Sequence, residues 1–118
     1  MEQHTLIVTV QPDWRGALRV AGRVAEARHY QGERLNFETP EAFFSHMTAR
    51  RWALVHLLLG AGEVSVRDLA RRAERDVRRV HEDVTTLANL GLVERTERGG
   101  VVCPFADIHV DMHLREAV

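Results

Sequence analysis

The chain has 118 residues, 45% of them apolar and 28% charged; this suits one compact domain with its own core and excludes a disordered or low-complexity chain. Sixteen basic residues against seventeen acidic ones leave a formal net charge of -1, so a polyanionic partner is not announced by overall charge and must be sought in local clustering. The single cysteine, Cys103, excludes an internal disulfide and a multi-cysteine zinc site and fits a reducing compartment, for which the cytoplasm is the default.

Met1-Glu2-Gln3-His4 shows no basic leader followed by an apolar run, so no secretory signal is expected. From Thr5 to Val10, Leu6, Val8 and Val10 alternate with Ile7 and Thr9; the β-branched content predicts a strand buried on both faces, ended by Pro12. Between Trp14 and Arg28, Leu18, Val20, Ala21, Val24 and Ala25 recur at helical spacing, which predicts an amphipathic helix. Arg34 to Glu38 reads as a short strand. Thr39-Pro40 then offers a capping hydroxyl followed by a first-turn proline, opening a helix with Phe43, Phe44 and Met47 inward. Thr48 caps the next helix, which runs through Trp52, Leu54, Val55, Leu57, Leu58 and Leu59 to Gly60-Ala61-Gly62. Its apolar run, Trp52 to Gly60, is far too short to span a bilayer, so no membrane partner is expected. His46 and His56 fall inside these apolar stretches and read as core or boundary residues.

Ser65-Val66-Arg67-Asp68 resembles a capping box and starts a short helix with Val66, Leu69, Ala70 and Ala73 inward. Asp76 caps a further helix that continues to Leu90 and stops at Gly91. At about 100° per residue, Val77, Val80, Val84 and Leu87 form its buried stripe, with Arg78, Arg79, Glu82, Thr86 and Asn89 opposite. Leu92 to Thr96 and Val101 to Pro104 read as two strands joined by Glu97-Arg98-Gly99-Gly100. Ile108, Val110, Met112 and Leu114 alternate with His109, Asp111, His113 and Arg115, the pattern of a strand with one covered face.

The succession from Thr48 to Cys103 is a buried helix, a short capped helix, a tight turn, an amphipathic helix and a glycine-tipped hairpin, which is the ground plan of a winged helix-turn-helix. The expected fold is therefore α+β, with residues 1–38 as a strand-helix-strand extension that serves dimerisation and residues 39–118 as the DNA-binding region with its C-terminal strand. In such a unit the second helix of the pair enters the major groove of double-stranded DNA. Arg78, Arg79 and Glu82 would then reach base edges, Arg donating to guanine and Glu accepting from cytosine, with Thr85, Thr86 and Asn89 extending the contact. Arg67, Arg71, Arg72 and Arg75 would hold phosphates, aided by backbone N–H groups near Ser65 and Asp76. Arg95 and Arg98 would carry the hairpin to the adjacent backbone or minor groove. All sixteen basic residues are arginine, which favours bidentate contacts, although a coding bias yields the same composition. On the plainer view, Arg78 pairs with Glu82 and Arg79 with Asp83 on a solvated face, an arrangement that leaves six arginines between Arg67 and Arg79 without a reason.

The stretches SVRDLARRAERDVRRVHEDVTTLANLGLVERTERGGVVCPFADIHVDMHL and FETPEAFFSHMTARRWALVHLL resemble a family of MarR-like winged-helix regulators of bacteria and haloarchaea that includes antitoxins. The most specific part is Leu69-Ala70 followed by Arg75-Asp76-Val77, Val80-His81, Asp83-Val84 and Gly91-Leu92. The resemblance implies an operator-binding homodimer, a DNA-reading segment from Arg75 to Asp83 and, in many members, a small toxin protein as partner. Ala73-Glu74 stands where that family often has a small apolar residue and glycine.

Other chemistry is weakly represented. His109, Asp111 and His113 would share one face of a strand, with Cys103 nearby, as a zinc or nickel set would; alternating polar residues on an open strand face are far commoner, and no metal or other cofactor is expected. His81-Glu82 begins like a zinc-protease helix but has Thr85 where the second histidine belongs. No phosphate loop or nucleophile arrangement is present, so no catalytic residue is expected and the chain reads as a non-enzyme. The unpaired edges of the first and last strands would pair between subunits or receive a partner protein. Two functions remain: a homodimeric cytoplasmic transcriptional regulator, occupying a palindromic operator as a repressor, or a protein-interaction module that packs its winged helix on a partner without DNA.

Overall fold

Six consecutive strand-favouring residues form β1 (Thr5–Val10), and both edges of β1 are occupied within the chain. In the computed structural model, which describes residues 4–12 and 33–114, β1 pairs in parallel with β2 (Glu33–Phe37) on one side and with β6 (Asp107–Met112) on the other. Val8 lies opposite Leu35 and Val110. This central place explains why Leu6 to Val10 are all buried, as is usual for a parallel strand covered on both faces. The one polar residue among them, Thr9, donates its hydroxyl to Asn36 Oδ1 at 2.7 Å, and Asn36 Nδ2 donates to the Gln11 carbonyl at 3.1 Å, so its burial leaves no orphan. Phe37 meets Phe43 edge-to-face at 5.4 Å; Phe43 is carried by α1 (Pro40–His46), whose start is capped by the Thr39 hydroxyl. Phe44, expected inward, is 60% exposed.

The first strand therefore has no spare edge to offer another subunit; among the described residues the outer strands are β2 and β6. The expected helix over Trp14 to Arg28 lies outside the described residues. The chain divides into two compact units, Met1–Ser45 with Asp107–Val118, and His46–Ala106. This border differs from the one drawn between residues 38 and 39, because β6 returns to β1 instead of completing the second unit.

The second unit begins with α2 (Ala49–Leu58), capped by Thr48 and burying Leu54, Val55 and Leu58. After Gly60 and Gly62 the chain enters β3 (Val64–Ser65), too short to be seen in the sequence, and then α3 (Val66–Ala73). Ser65 caps α3 by accepting the Asp68 N–H at 3.0 Å, while the Asp68 carboxylate is held by Arg71 and Arg72. Glu74 ends α3 in the left-handed conformation (φ 56°, ψ 46°), which takes the place of the glycine usual at such a turn. Asp76 then caps α4 (Val77–Leu90), which sinks Val80, Val84 and Leu87 completely. Val77, expected in that stripe, is 42% exposed, because it opens the first turn, ahead of the buried part of the helix. Gly91 closes α4 at φ 92°.

The hairpin strands β4 (Glu94–Arg95) and β5 (Gly100–Val102) join β3 in the order β3-β5-β4, all antiparallel. Gly100 is needed where it stands: a Cβ there would lie 3.0 Å from the Glu63 side chain and 3.1 Å from the Val64 carbonyl. The described residues thus make a mixed α+β protein of four helices and two small sheets, and none of those helices is long and apolar enough to cross a membrane.

A non-glycine residue in the left-handed region costs about 1–2 kcal/mol, and glycine returns part of this as lost unfolded-state restriction, about 0.5–1 kcal/mol. Glu74→Gly is expected to stabilise the protein by up to about 1 kcal/mol, read as a thermal midpoint a few degrees higher; an unchanged or lower midpoint would show that the turn is not strained.

Candidate nucleic-acid interface

Two capped helices joined by the Glu74-Arg75-Asp76 turn present α4 with its valine stripe buried and its opposite side open. Arg78 and Glu82 lie one turn apart on that open side, both exposed. Among the described residues neither Arg78 nor Arg79 has an ion-pair partner, so the intrahelical pairs Arg78–Glu82 and Arg79–Asp83 are absent. Asn89 is exposed and Thr86 half-buried farther along the helix. The helix start bears on the same region: Asp76 accepts the Arg79 N–H at 3.3 Å.

Asp83 is engaged elsewhere, each of its oxygens accepting from an arginine other than Arg79. Arg51 Nε, from α2, donates to Oδ1 at 3.0 Å, and Arg75 Nη2, from the turn, donates to Oδ2 at 2.8 Å. All three side chains are mostly buried, at 22%, 16% and 17% exposure for Arg51, Asp83 and Arg75, so solvent screens these pairs little. Arg51 also donates through Nη1 to the His46 carbonyl at 2.8 Å. Arg75 Nη1 is buried with no acceptor. Arg75, expected at a phosphate, has its guanidinium turned onto Asp83. Sequence reasoning paired Asp83 with Arg79 and missed Arg51; the available signal was an acid flanking the buried Val80–Val84 stripe, which burial obliges to find cations.

The remaining expected contacts divide. Arg67 is exposed, Ser65 is engaged as the α3 cap, and Arg71 and Arg72 are exposed but share Asp68, Arg72 Nη2 at 3.0 Å. Arg98 stands exposed at the hairpin tip. Arg95 folds back from β4 to donate to the Thr85 hydroxyl, and Thr85 donates in turn to the His81 carbonyl at 3.0 Å, so these two tie the hairpin to α4. At the hairpin's other side Thr96 donates to the Glu63 carboxylate. An open cleft of about 420 Å³ is lined by Arg50, Arg75, Asp76 and Arg79; Arg50 was not foreseen.

His46 and His56 are both exposed, so neither is a core histidine; each lies on the outer side of its helix. Just past β6, His113 Nε2 stands 3.4 Å from Asp111 Oδ1, and among the described residues no group of three or more His, Cys, Asp or Glu side chains is placed to hold a metal ion. Cys103 is buried at 7% exposure. Burial pushes its thiol above the ordinary value, and a backbone hydrogen bond with Phe105 pulls part of the way back.

Breaking a buried pair leaves its partners charged and unmatched, at about 3–5 kcal/mol, whereas an exposed pair contributes about 0–1 kcal/mol. Asp83→Asn is accordingly expected to lower stability by about 3 kcal/mol in urea unfolding, and Asp68→Asn by under about 1 kcal/mol; equal losses would remove Asp83 from its central role. Since only the thiolate is nucleophilic, Cys103 should stay unmodified by a thiol reagent at mildly alkaline pH until the protein is unfolded. Rapid reaction of the folded protein contradicts its burial.

A family model described as HVO_A0114 matches residues 46–110, more than half of the chain, covering α2 to the hairpin and the beginning of β6. No curated protein and no solved structure matches the chain. The matched span takes in the whole of the unit that carries Arg51, Asp83 and the open side of α4, and on that span the chain belongs to the HVO_A0114 family.

Proposed function

We propose that the protein is a sequence-specific DNA-binding regulator whose second unit works as a winged helix-turn-helix, with α3 and α4 as the helix pair and the β4–β5 hairpin as the wing. The observation that carries this reading is the pairing state of α4: Asp83 is engaged with Arg51 and Arg75, while Arg78 stands exposed without an ion partner among the described residues. An unpaired guanidinium on the first turn of such a helix is suited to donate two hydrogen bonds to guanine O6 and N7, and Glu82, four residues on, to accept from cytosine N4. Arg67 and Arg98, exposed on α3 and at the hairpin tip, are placed on the elements that would follow the phosphate backbone.

The protein acts in the cytoplasm as a homodimer, its two reading helices about 34 Å apart on a palindromic operator, and represses by occupying that site. Its likeness to MarR-like regulators and antitoxins extends the reading to a toxin protein as a further partner. No catalytic step and no cofactor enter this function.

Arg78→Ala is expected to weaken binding to the cognate duplex by about 1–3 kcal/mol and to relax specificity at one base pair, with the thermal midpoint unchanged. A gel shift against the gene's own upstream region at two salt concentrations should show retention that falls steeply with salt. Absence of any retarded species at low salt would favour the protein-interaction module instead.

A further inference from the structure

Arg50 lies in the first turn of α2 and Arg79 in the first turn of α4, and the two line one open cleft. Both are exposed, and neither has an ion-pair partner among the described residues. Their separation is set by neighbours: Arg51, next to Arg50, and Arg75, ahead of the Asp76 cap, are both fastened to Asp83. The first turn of α2 is thereby held against α4, and the cleft is built before any ligand arrives, which is the condition for tight capture of a small group.

Around this cleft four guanidiniums (Arg50, Arg51, Arg75 and Arg79) face two carboxylates (Asp76 and Asp83), leaving two positive charges uncompensated. Neither Arg50 nor Arg79 pairs with Asp83, whose charge is shared between Arg51 and Arg75, and Asp76 serves as the α4 cap. A local excess of positive charge favours an incoming anion. Each guanidinium offers a fork of N–H donors that matches phosphate oxygens, and a phosphate carries enough acceptor oxygens to engage two of them. The volume, about 420 Å³, lies in the range of small-ligand sites and admits a phosphate with its flanking groups.

We propose that the cleft is a phosphate site, with Arg50 and Arg79 as its two jaws and the Arg51–Asp83–Arg75 triad as the frame that spaces them. Its occupant in the DNA complex is one backbone phosphodiester beside the groove that Arg78 enters; this identification of the source, though not the site itself, rests on the DNA-binding reading. Arg79 is then a backbone contact and not a base reader. Arg50, outside the expected contact set, becomes one of its anchors.

Two titrations of the full chain test this. In the first, inorganic phosphate is added to the wild type, Arg50→Ala and Arg79→Ala, and the thermal midpoint is followed at constant ionic strength, with chloride as control. A saturable rise in the wild type that both variants lose is expected; an equal rise in all three proteins, or none in the wild type, overturns the site. In the second, affinity for the upstream duplex and for an unrelated duplex is measured across a salt series. Arg50→Ala and Arg79→Ala should each weaken both duplexes alike and flatten the logarithmic salt slope by about one, while Arg78→Ala narrows the gap between the duplexes. If the wild type binds DNA but the Arg50 and Arg79 variants keep its slope, the cleft does not hold a backbone phosphate and the proposal falls. If phosphate binds through Arg50 and Arg79 while no DNA binds, the site stands, its phosphate comes from a free ligand, and the DNA-binding reading fails alone.

Discussion

One carboxylate shared between two guanidiniums organises the second unit. Asp83 receives Arg51 from α2 on one oxygen and Arg75 from the inter-helix turn on the other, so three segments separated by up to 32 positions in the chain meet at a single charge. Neither arginine alone satisfies a mostly buried carboxylate, and the carboxylate alone does not neutralise both arginines, so the cluster is positive by one unit even when complete. That residual charge lies beside the first turn of α4. The same contact that braces the helices therefore sets the electrostatic character of the surface next to it.

The turn that delivers Arg75 is costly for the backbone, with Glu74 in the region normally left to glycine. Hydrogen bonds on both sides of that residue offset the cost: the Glu74 N–H reaches the carbonyls of Ala70 and Arg71, the Arg75 N–H reaches Ala70 at 3.0 Å, and Asp76 begins α4 with its side chain on the Arg79 N–H. The hairpin is tied down by two further side-chain contacts, Arg95 to Thr85 and Thr96 to Glu63. Turn, helix and hairpin are thus registered to one another by polar contacts laid over the buried Val80, Val84, Leu87 and Val101.

Local signals carried much of this into the sequence. Caps at Thr39, Thr48, Ser65 and Asp76, the glycine stop at Gly91 and the periodicity of α4 were legible because each depends on residues within one or two turns. Phe44 and Val77 were misplaced because periodicity assigns a side chain to a helix face without saying where along the helix the core begins and ends. His46 and His56 erred for the same reason, an apolar neighbourhood in sequence not being one in space. The Asp83 cluster and the Arg50 cleft join residues from separate helices, and β6 beside β1 joins residues about a hundred positions apart; no local pattern encodes such partners. Arg75 looked like a surface cation because an arginine's long stem reaches inward as readily as outward, and Arg95, though exposed, is engaged with Thr85 on another element.

The return of β6 to β1 has a consequence for the order of assembly. Because Leu6 is paired with Ile108, the middle strand of the first sheet waits for its last neighbour until the entire helical segment has been synthesised, and closing so long a loop is entropically expensive and slow. The helical segment, whose contacts are mostly between neighbouring elements, has no such wait. It can consolidate as an insert while the early strand, apolar on both sides, still lacks its cover, and during that interval the nascent chain carries an unshielded sticky ribbon that a chaperone or another ribosome's product can capture.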